Sequence, residues 1–200
     1  MKNKVLKAIK NPLEAVSYVL YHIGSKLRVF RYRINPNITI GKNATIEKNV
    51  TISTSGGGKI IIGDNCVLYQ HSFLLTWGGD IKIGNNFSLN AFSTVYGQGG
   101  ITIGNFVMVA GNTSIIPANH GFERLDIPMR SQEQVKKGIV IEDDVWIGSG
   151  VRVLDGITIS KGCVIGAGTV LTKSTEPFSV YVGVPGKKIK DRLNNSVKNG

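Results

Sequence analysis

The stretch Ile141-Glu-Asp-Asp-Val-Trp-Ile147-Gly-Ser-Gly-Val-Arg-Val153-Leu-Asp-Gly-Ile-Thr-Ile159-Ser-Lys-Gly-Cys-Val-Ile165-Gly-Ala-Gly-Thr-Val-Leu171 carries an aliphatic side chain at every sixth position without a break. The same beat runs through Ile40, Ile46 and Ile52, then Ile62, Leu68 and Leu74, then Ile83, Leu89 and Val95, then Ile103, Val109 and Ile115, eighteen positions in all. Glycine often follows, as at Gly41, Gly63, Gly84, Gly104, Gly148 and Gly166. Neither regular element repeats in six: a helix presents the same face about every 3.6 residues and a strand about every two. Six residues make a short strand and a corner. Three such edges close a triangular coil of eighteen residues, so the eighteen positions wind about six coils. Stacked coils pair as parallel strands about 4.8 Å apart, each edge sending one aliphatic side chain inward. Small residues four places further on, Cys66, Val107, Val145, Cys163 and Thr169, fill the space beside them, so both cysteines read as core residues. The predicted fold is an all-β solenoid.

The beat is interrupted by four extra residues after Ile52, three after Leu74, two after Val95 and one large insertion between Ile115 and Ile141. Outside it, Asn11-Pro12 with Glu14 reads as an N-cap, a first-turn proline and an acidic third position. Leu13, Val16, Val19, Leu20, Ile23, Leu27 and Phe30 recur at helical spacing. A helix from Pro12 to about Arg33 is expected to cap the first coil with them. A short C-terminal helix is expected from Gly186 to about Asn195. The chain then divides into a basic amphipathic cap segment, 1–35, a β-helix, 36–175, with an excursion loop at 117–139, and a basic tail, 176–200.

Apolar residues at 42% and charged residues at 18% exclude a disordered polyelectrolyte. The 25 glycines follow no G-X-Y period, which excludes collagen. No apolar run reaches the ~18 residues of a membrane span. The stretch from Ala15 to Ile23 follows Glu14 and precedes no cleavage site, so it does not read as a signal peptide. Two cysteines cannot make a disulfide scaffold and suit a reducing cytosol. The net charge of +11 sits in the ends: +7 over residues 1–33, zero over 34–172 and +4 over 173–200. A nucleic-acid-binding domain puts its basic stripe on the folded body, so no nucleic acid is expected. Basic ends, with Tyr18, Tyr21, Phe30 and Tyr32 in the first of them, suit an anionic ligand or peripheral contact with an acidic membrane surface. Plain solvated charge is the other reading of the N-terminal block.

Ile141 to Ser149 with Trp146, then Val164-Ile-Gly-Ala-Gly-Thr-Val-Leu-Thr-Lys173, then Gly183-Val-Pro-Gly-Lys187 resemble the hexapeptide-repeat acyltransferases. The resemblance is to their galactoside and maltose O-acetyltransferase branch and to the sugar O-acetyltransferases of bacterial surface-polysaccharide pathways. It covers roughly residues 36–192. It implies a left-handed parallel β-helix, acetyl-CoA as co-substrate, a sugar acceptor, and a homotrimer with its sites between subunits. It also implies site residues. Family members carry a catalytic histidine on a loop leaving the solenoid, matched by His120, and an asparagine thirty residues earlier, matched by Asn90. The positions matching the family's CoA contacts are Trp146, Ser149, Ala167, Thr172, Lys173, Lys187 and Lys190. The family often has arginine at the last two.

His120 is singled out by the repeat as well, because it opens the longest interruption, and long loops on rigid scaffolds concentrate function. Transfer from a thioester to a hydroxyl needs a general base, for which an imidazole is suited, donors for the developing oxyanion, and juxtaposed reactants. His120 is read as the base. Asn90 either supplies an oxyanion donor or holds a turn. Glu123 either orients the imidazole, contacts the acceptor or forms a loop salt bridge. Trp146 packs outside the coil or lines a pantetheine tunnel. The insertions Trp77–Asp80 and Tyr96–Gly100 combine aromatic and polar groups, as a sugar site does, and are equally readable as tight turns. The galactoside branch has an acid near the position of Gln98. His22 and His71 read as structural. Zinc chemistry of the γ-carbonic anhydrase kind needs three ligating histidines. The chain has three in total with His22 outside the solenoid, so no metal is expected.

The reading is an acetyl-CoA-dependent sugar O-acetyltransferase of the cytoplasm or the inner membrane face, acting on a bacterial surface polysaccharide or its precursor. N-acetylation of a nucleotide-linked amino sugar and a non-catalytic solenoid scaffold are the alternatives.

Overall fold

A computed structural model describes residues 11–192. Its body is a triangular prism of three parallel sheets. Strands Ile38–Ile40, Ile60–Ile62, Ile81–Ile83, Ile101–Ile103, Ile139–Ile141 and Thr158–Ile159 stack in that order as face one. Face two opens with Thr45–Ile46 and runs through Trp146–Ile147 and Val164–Ile165; face three runs from Thr51–Ser53 to Val170–Leu171. Each face takes one strand from every coil, which gives the six predicted coils and fits the left-handed β-helix. All eighteen aliphatic positions of the sequence beat are buried, none more than 6% exposed. At about 1.5–3 kcal/mol for each fully buried aliphatic side chain, this column is the main stabilising term. Cys66 and Cys163 are buried and unpaired, and burial pushes the Cys66 thiol above its ordinary range.

The glycine after each aliphatic residue has a specific cause on the edge between faces one and two. There Asp64, Asn85, Asn105 and Asp143 form a ladder. Each accepts a hydrogen bond from the backbone N–H of Lys42, Asp64, Asn85 and Asn105 respectively, one coil back, at 2.6–2.9 Å. The ladder brings the next coil so close that no side chain fits. A Cβ on Gly104 would lie 2.8 Å from Asp143 N and 2.9 Å from the Glu142 carbonyl carbon. Gly104→Ala is therefore expected to cost about 1–3 kcal/mol, the usual range for overpacking, read as a lower thermal midpoint. An unchanged midpoint would show that the coils can slide apart there.

All four insertions fall on one edge, between faces three and one: after Ser53, Leu75, Tyr96 and Ile115. The longest spans residues 117–138 and returns as a hairpin. Asn119 and Val135 exchange both backbone hydrogen bonds at 2.9 Å, and Gly121 N–H donates to the Glu133 carbonyl. The Asp155 carboxylate receives the Lys137 and Gly138 N–H groups at 2.9 Å and clamps the returning strand. Losing these charge-assisted bonds in Asp155→Ala is expected to speed tryptic cleavage at Lys136 and Lys137 about 10–100-fold. Equal cleavage rates would mean that the hairpin holds itself.

Two expectations are corrected. The cap helix α1 (Pro12–Arg33) forms as predicted, with the Asn11 side chain accepting from Glu14 N. Its polar side, not its apolar stripe, meets the first coil. The first coil has no predecessor, so it presents unpaired backbone groups that need hydrogen bonds. Ser25 Oγ accepts from Ile46 N at 2.9 Å, and Arg28 Nε donates to Ile46 O at 2.8 Å. Tyr32 OH donates to Val50 O at 2.7 Å, and Arg33 donates to Ile40 O. Ser25 and Val29 are buried, while Leu13, Val16, Val19, Leu20, Ile23, Leu27 and Phe30 are each at least half exposed.

The expected C-terminal helix is instead a strand, Lys187–Asp191, antiparallel to Ser179–Val182 at the end of face two. The unpaired edge of Ser179–Val182 offers a ladder that a solvated helix lacks. Lys188 bridges Glu176 and Asp191 at 2.6 and 2.7 Å. Its bond holds the Asp191 carboxyl below its ordinary range. The remainder of that predicted helix, 193–195, lies outside the described residues, as does 1–10 of the basic cap segment.

Candidate active site on the insertion edge

Because Val95, Ile115, Val153 and Leu171 stack in register, the residues that follow them share one column on the insertion edge. These are Tyr96, Ile116, Leu154 and Thr172. The first three line a cavity of about 340 Å³ with Trp77, Gln98 and His120. The Trp77 and Tyr96 rings sit 4.4 Å apart, tilted by 47°. Gln98 Oε1 is buried in this region without a hydrogen-bond partner among the described residues, an acceptor that asks for a donor. The two short insertions thus bring an aromatic pair and an amide to the imidazole. Thr172 is the next member of the column, and Lys173 follows it.

His120 also lines a second cavity, of about 500 Å³, enclosed by its own hairpin with Glu123, Arg124 and Gln132. The imidazole is therefore on the lip between two cavities, exposed to both. Glu123 shares the hairpin cavity, but no hydrogen bond or ion pair joins it to His120 among the described residues. Arg124 is tied to Asp126, holding that carboxyl below its usual range, and its carbonyl accepts from Gln132 Nε2 at 2.7 Å. These contacts shape the hairpin.

The other predicted residues lie elsewhere on the same prism. Leu89, Val109, Ile147 and Ile165 stack in register on face two, which puts Asn90, Ser149 and Ala167 on the edge between faces two and three. Asn90 Nδ2 donates to Val109 O at 2.9 Å, tying its coil to the next and leaving one amide hydrogen uncommitted. Ser149 Oγ donates to Gly111 O at 2.7 Å. Trp146 stands on the outer surface of face two, 52% exposed. Lys187 and Lys190 extend the same face on the terminal strand and form no ion pair among the described residues. Face three separates the two groups by the reach of about six extended residues, about 15–20 Å.

His71 holds a corner in the left-handed conformation, φ 59°, and stacks on Phe92. His22 packs against Tyr18 and Tyr21. Sequence reasoning missed Ile116, Leu154 and Gln134 of the His120 cavity. The first two were visible as aliphatic residues directly after an inward one, at Ile115-Ile116 and Val153-Leu154, where an outward side chain is expected to be polar. Gln134 carried no such signal.

The prism of six-residue edges is the fold of the hexapeptide-repeat proteins. Residues 138–173 match the family described as bacterial transferase hexapeptide (six repeats). The chain is 32% identical over 149 residues to an Escherichia coli K12 protein assigned as the lipopolysaccharide biosynthesis O-acetyl transferase WbbJ, covering 70% of this chain and 76% of that one. This chain belongs to the hexapeptide-repeat acetyltransferase family. It is 36% identical over 136 residues to the galactoside O-acetyltransferase of Lactococcus lactis, covering 68% of this chain and 64% of that one. Among solved structures it resembles AntD, an N-acyltransferase from Bacillus cereus in complex with dTDP and 3-hydroxybutyryl-CoA. The TM-score is 0.71 at 25% identity, covering 83% of this chain and 88% of that one. The chain spans between 54% and 64% of the length of the first curated relatives it matches.

Proposed function

We propose that this protein transfers the acetyl group of acetyl-CoA to a hydroxyl of a sugar in a bacterial surface polysaccharide or its precursor, in the cytoplasm, as a homotrimer. The observation that carries the reading is His120 on the lip of a cavity holding the Trp77–Tyr96 ring pair and the unpartnered Gln98 Oε1. A ring pair suits the apolar face of a sugar, and an orphan acceptor suits one of its hydroxyls. His120 Nε2 or Nδ1 takes the hydroxyl proton as the sugar oxygen bonds to the thioester carbonyl carbon. When the carbon–sulfur bond breaks, the imidazolium returns that proton to the departing sulfur. The products are the O-acetyl sugar and the free thiol of CoA.

Trp146, Ser149, Ala167, Thr172, Lys173, Lys187 and Lys190 are the residues proposed to hold CoA. Lys187 and Lys190, in no ion pair among the described residues, fit its phosphates as point charges, and Trp146 offers an exposed ring three strands away on the same face. The split of the proposed site across two prism edges has a physical consequence. His120 and the Asn90 edge act on one thioester only if the insertion edge of one subunit meets the opposite edge of its neighbour. This supports a trimer with sites at its three junctions.

Thiol release from acetyl-CoA, followed with free sugars, lipid-linked glycans and nucleotide-linked amino sugars, tests the reading. Transfer to a hydroxyl acceptor is the expected result. The likeness to the N-acyltransferase AntD favours a second reading, in which the amino group of a nucleotide-linked sugar is the acceptor. Product formed only with amino sugars would establish that one instead. Failure with every acceptor would leave a scaffold.

A further inference from the structure

The acetyl-transfer site makes no use of α1, and α1 is built the wrong way round for a simple cap. At about 100° per residue, Leu13, Val16, Val19, Leu20, Ile23, Leu27, Phe30 and Ile34 fall within an arc of about 120°. Each is at least 50% exposed. Ser25, Val29 and Tyr32, which meet the first coil, centre about 180° from that arc. An apolar stripe nearly the length of the helix therefore points away from the protein. Monomeric soluble proteins rarely leave so continuous an apolar surface bare.

The borders of the stripe identify what covers it. Lys26 flanks one side and Arg31 the other, neither in an ion pair among the described residues. The one acid on the helix, Glu14, falls by its spacing on the side opposite the stripe. A second copy of this chain would set these cations against each other, on a protein whose net charge is already +11. No described helix is long and apolar enough to cross a membrane. An apolar arc edged by cations is the geometry of a helix lying in the plane of an anionic lipid surface, its apolar side chains below the headgroups and its cationic stems reaching up to them.

We propose that α1 docks the protein on a bilayer bearing anionic headgroups, through the outward stripe from Leu13 to Ile34. The inference rests on α1 alone and holds whichever acceptor the acetyl group reaches. Co-sedimentation of the full chain with vesicles tests it, using phosphatidylcholine alone and phosphatidylcholine mixed with phosphatidylglycerol. The protein is expected to bind the mixed vesicles at least about tenfold more tightly. The double variant Leu20→Glu with Leu27→Glu is expected to bind them about 100-fold more weakly, since two buried apolar contacts are lost. Reversing charge at Lys26 and Arg31 is expected to remove the preference for phosphatidylglycerol. All four side chains are exposed and none of them contributes to the core, so the thermal midpoint should stay put and confirm folding. Wild-type protein that stays in the supernatant, or variants that bind equally well, would overturn the proposal. So would a fall in particle mass by light scattering in the Leu20/Leu27 variant, which would make the stripe a contact between copies.

Discussion

His120→Ala is expected to lower kcat for acetyl transfer about 10²–10⁴-fold, the contribution of a positioned general base. Binding of CoA should change little, because the residues proposed to hold CoA lie on other coils, all but Thr172 and Lys173 of them away from the insertion edge. The imidazole is exposed on its hairpin and the fold does not lean on it, so the thermal midpoint should also be unchanged. What remains of the rate comes from juxtaposition of the reactants and from oxyanion donors, which the substitution leaves in place. Single-turnover measurement at saturating acetyl-CoA isolates the chemical step. An unchanged single-turnover rate would remove His120 from catalysis and return the hairpin to a structural role. The prism would be untouched by that outcome.

The parts of this molecule that were legible from sequence are those in which one side chain answers to one repeated environment. Ile40 through Leu171 each face the same triangular interior, so the period survives in the sequence even where insertions interrupt it. His120 was legible for the opposite reason, as the start of the one long departure from the period. The helix α1 was read correctly but its packing face was not, because apolar spacing announces a helix but not which side meets its neighbour. The end of a solenoid presents backbone N–H and C=O groups, and these selected Ser25, Arg28 and Tyr32 over Leu20 and Leu27. The tail failed similarly: the run Lys187-Lys188-Ile189-Lys190 has adequate helix propensity, and the unpaired edge at Ser179–Val182 overrode it. Gln134 and the hairpin ladder at Asn119 and Val135 lay inside an aperiodic stretch, where no repeated environment exists to be read. The separation of Asn90 from His120 is a matter of edges. A spacing of thirty residues is not a whole number of eighteen-residue coils, but insertions of unknown placement blur that arithmetic.

That separation yields the sharpest test of the assembly. If each site joins the insertion edge of one subunit to the Asn90 edge of the next, damage to either edge inactivates a uniform trimer, and two differently damaged subunits repair each other. His120→Ala removes the base from one edge. Ala167→Glu puts bulk and negative charge on the other, at an exposed position where the outward side chain displaces nothing in the core. Each variant alone is expected to lose at least about 99% of its activity. Co-expressed in equal amounts and assembled at random, they form junctions of four kinds, of which one pairs an intact His120 with an intact Ala167, so activity should return to about a quarter of wild type. Activity that stays at the level of the separate variants would place His120 and Ala167 in the service of one subunit. With face three standing about 15–20 Å wide between them, they could not then share a thioester, and the assignment of CoA to the Asn90 edge would fall while that of the base remained.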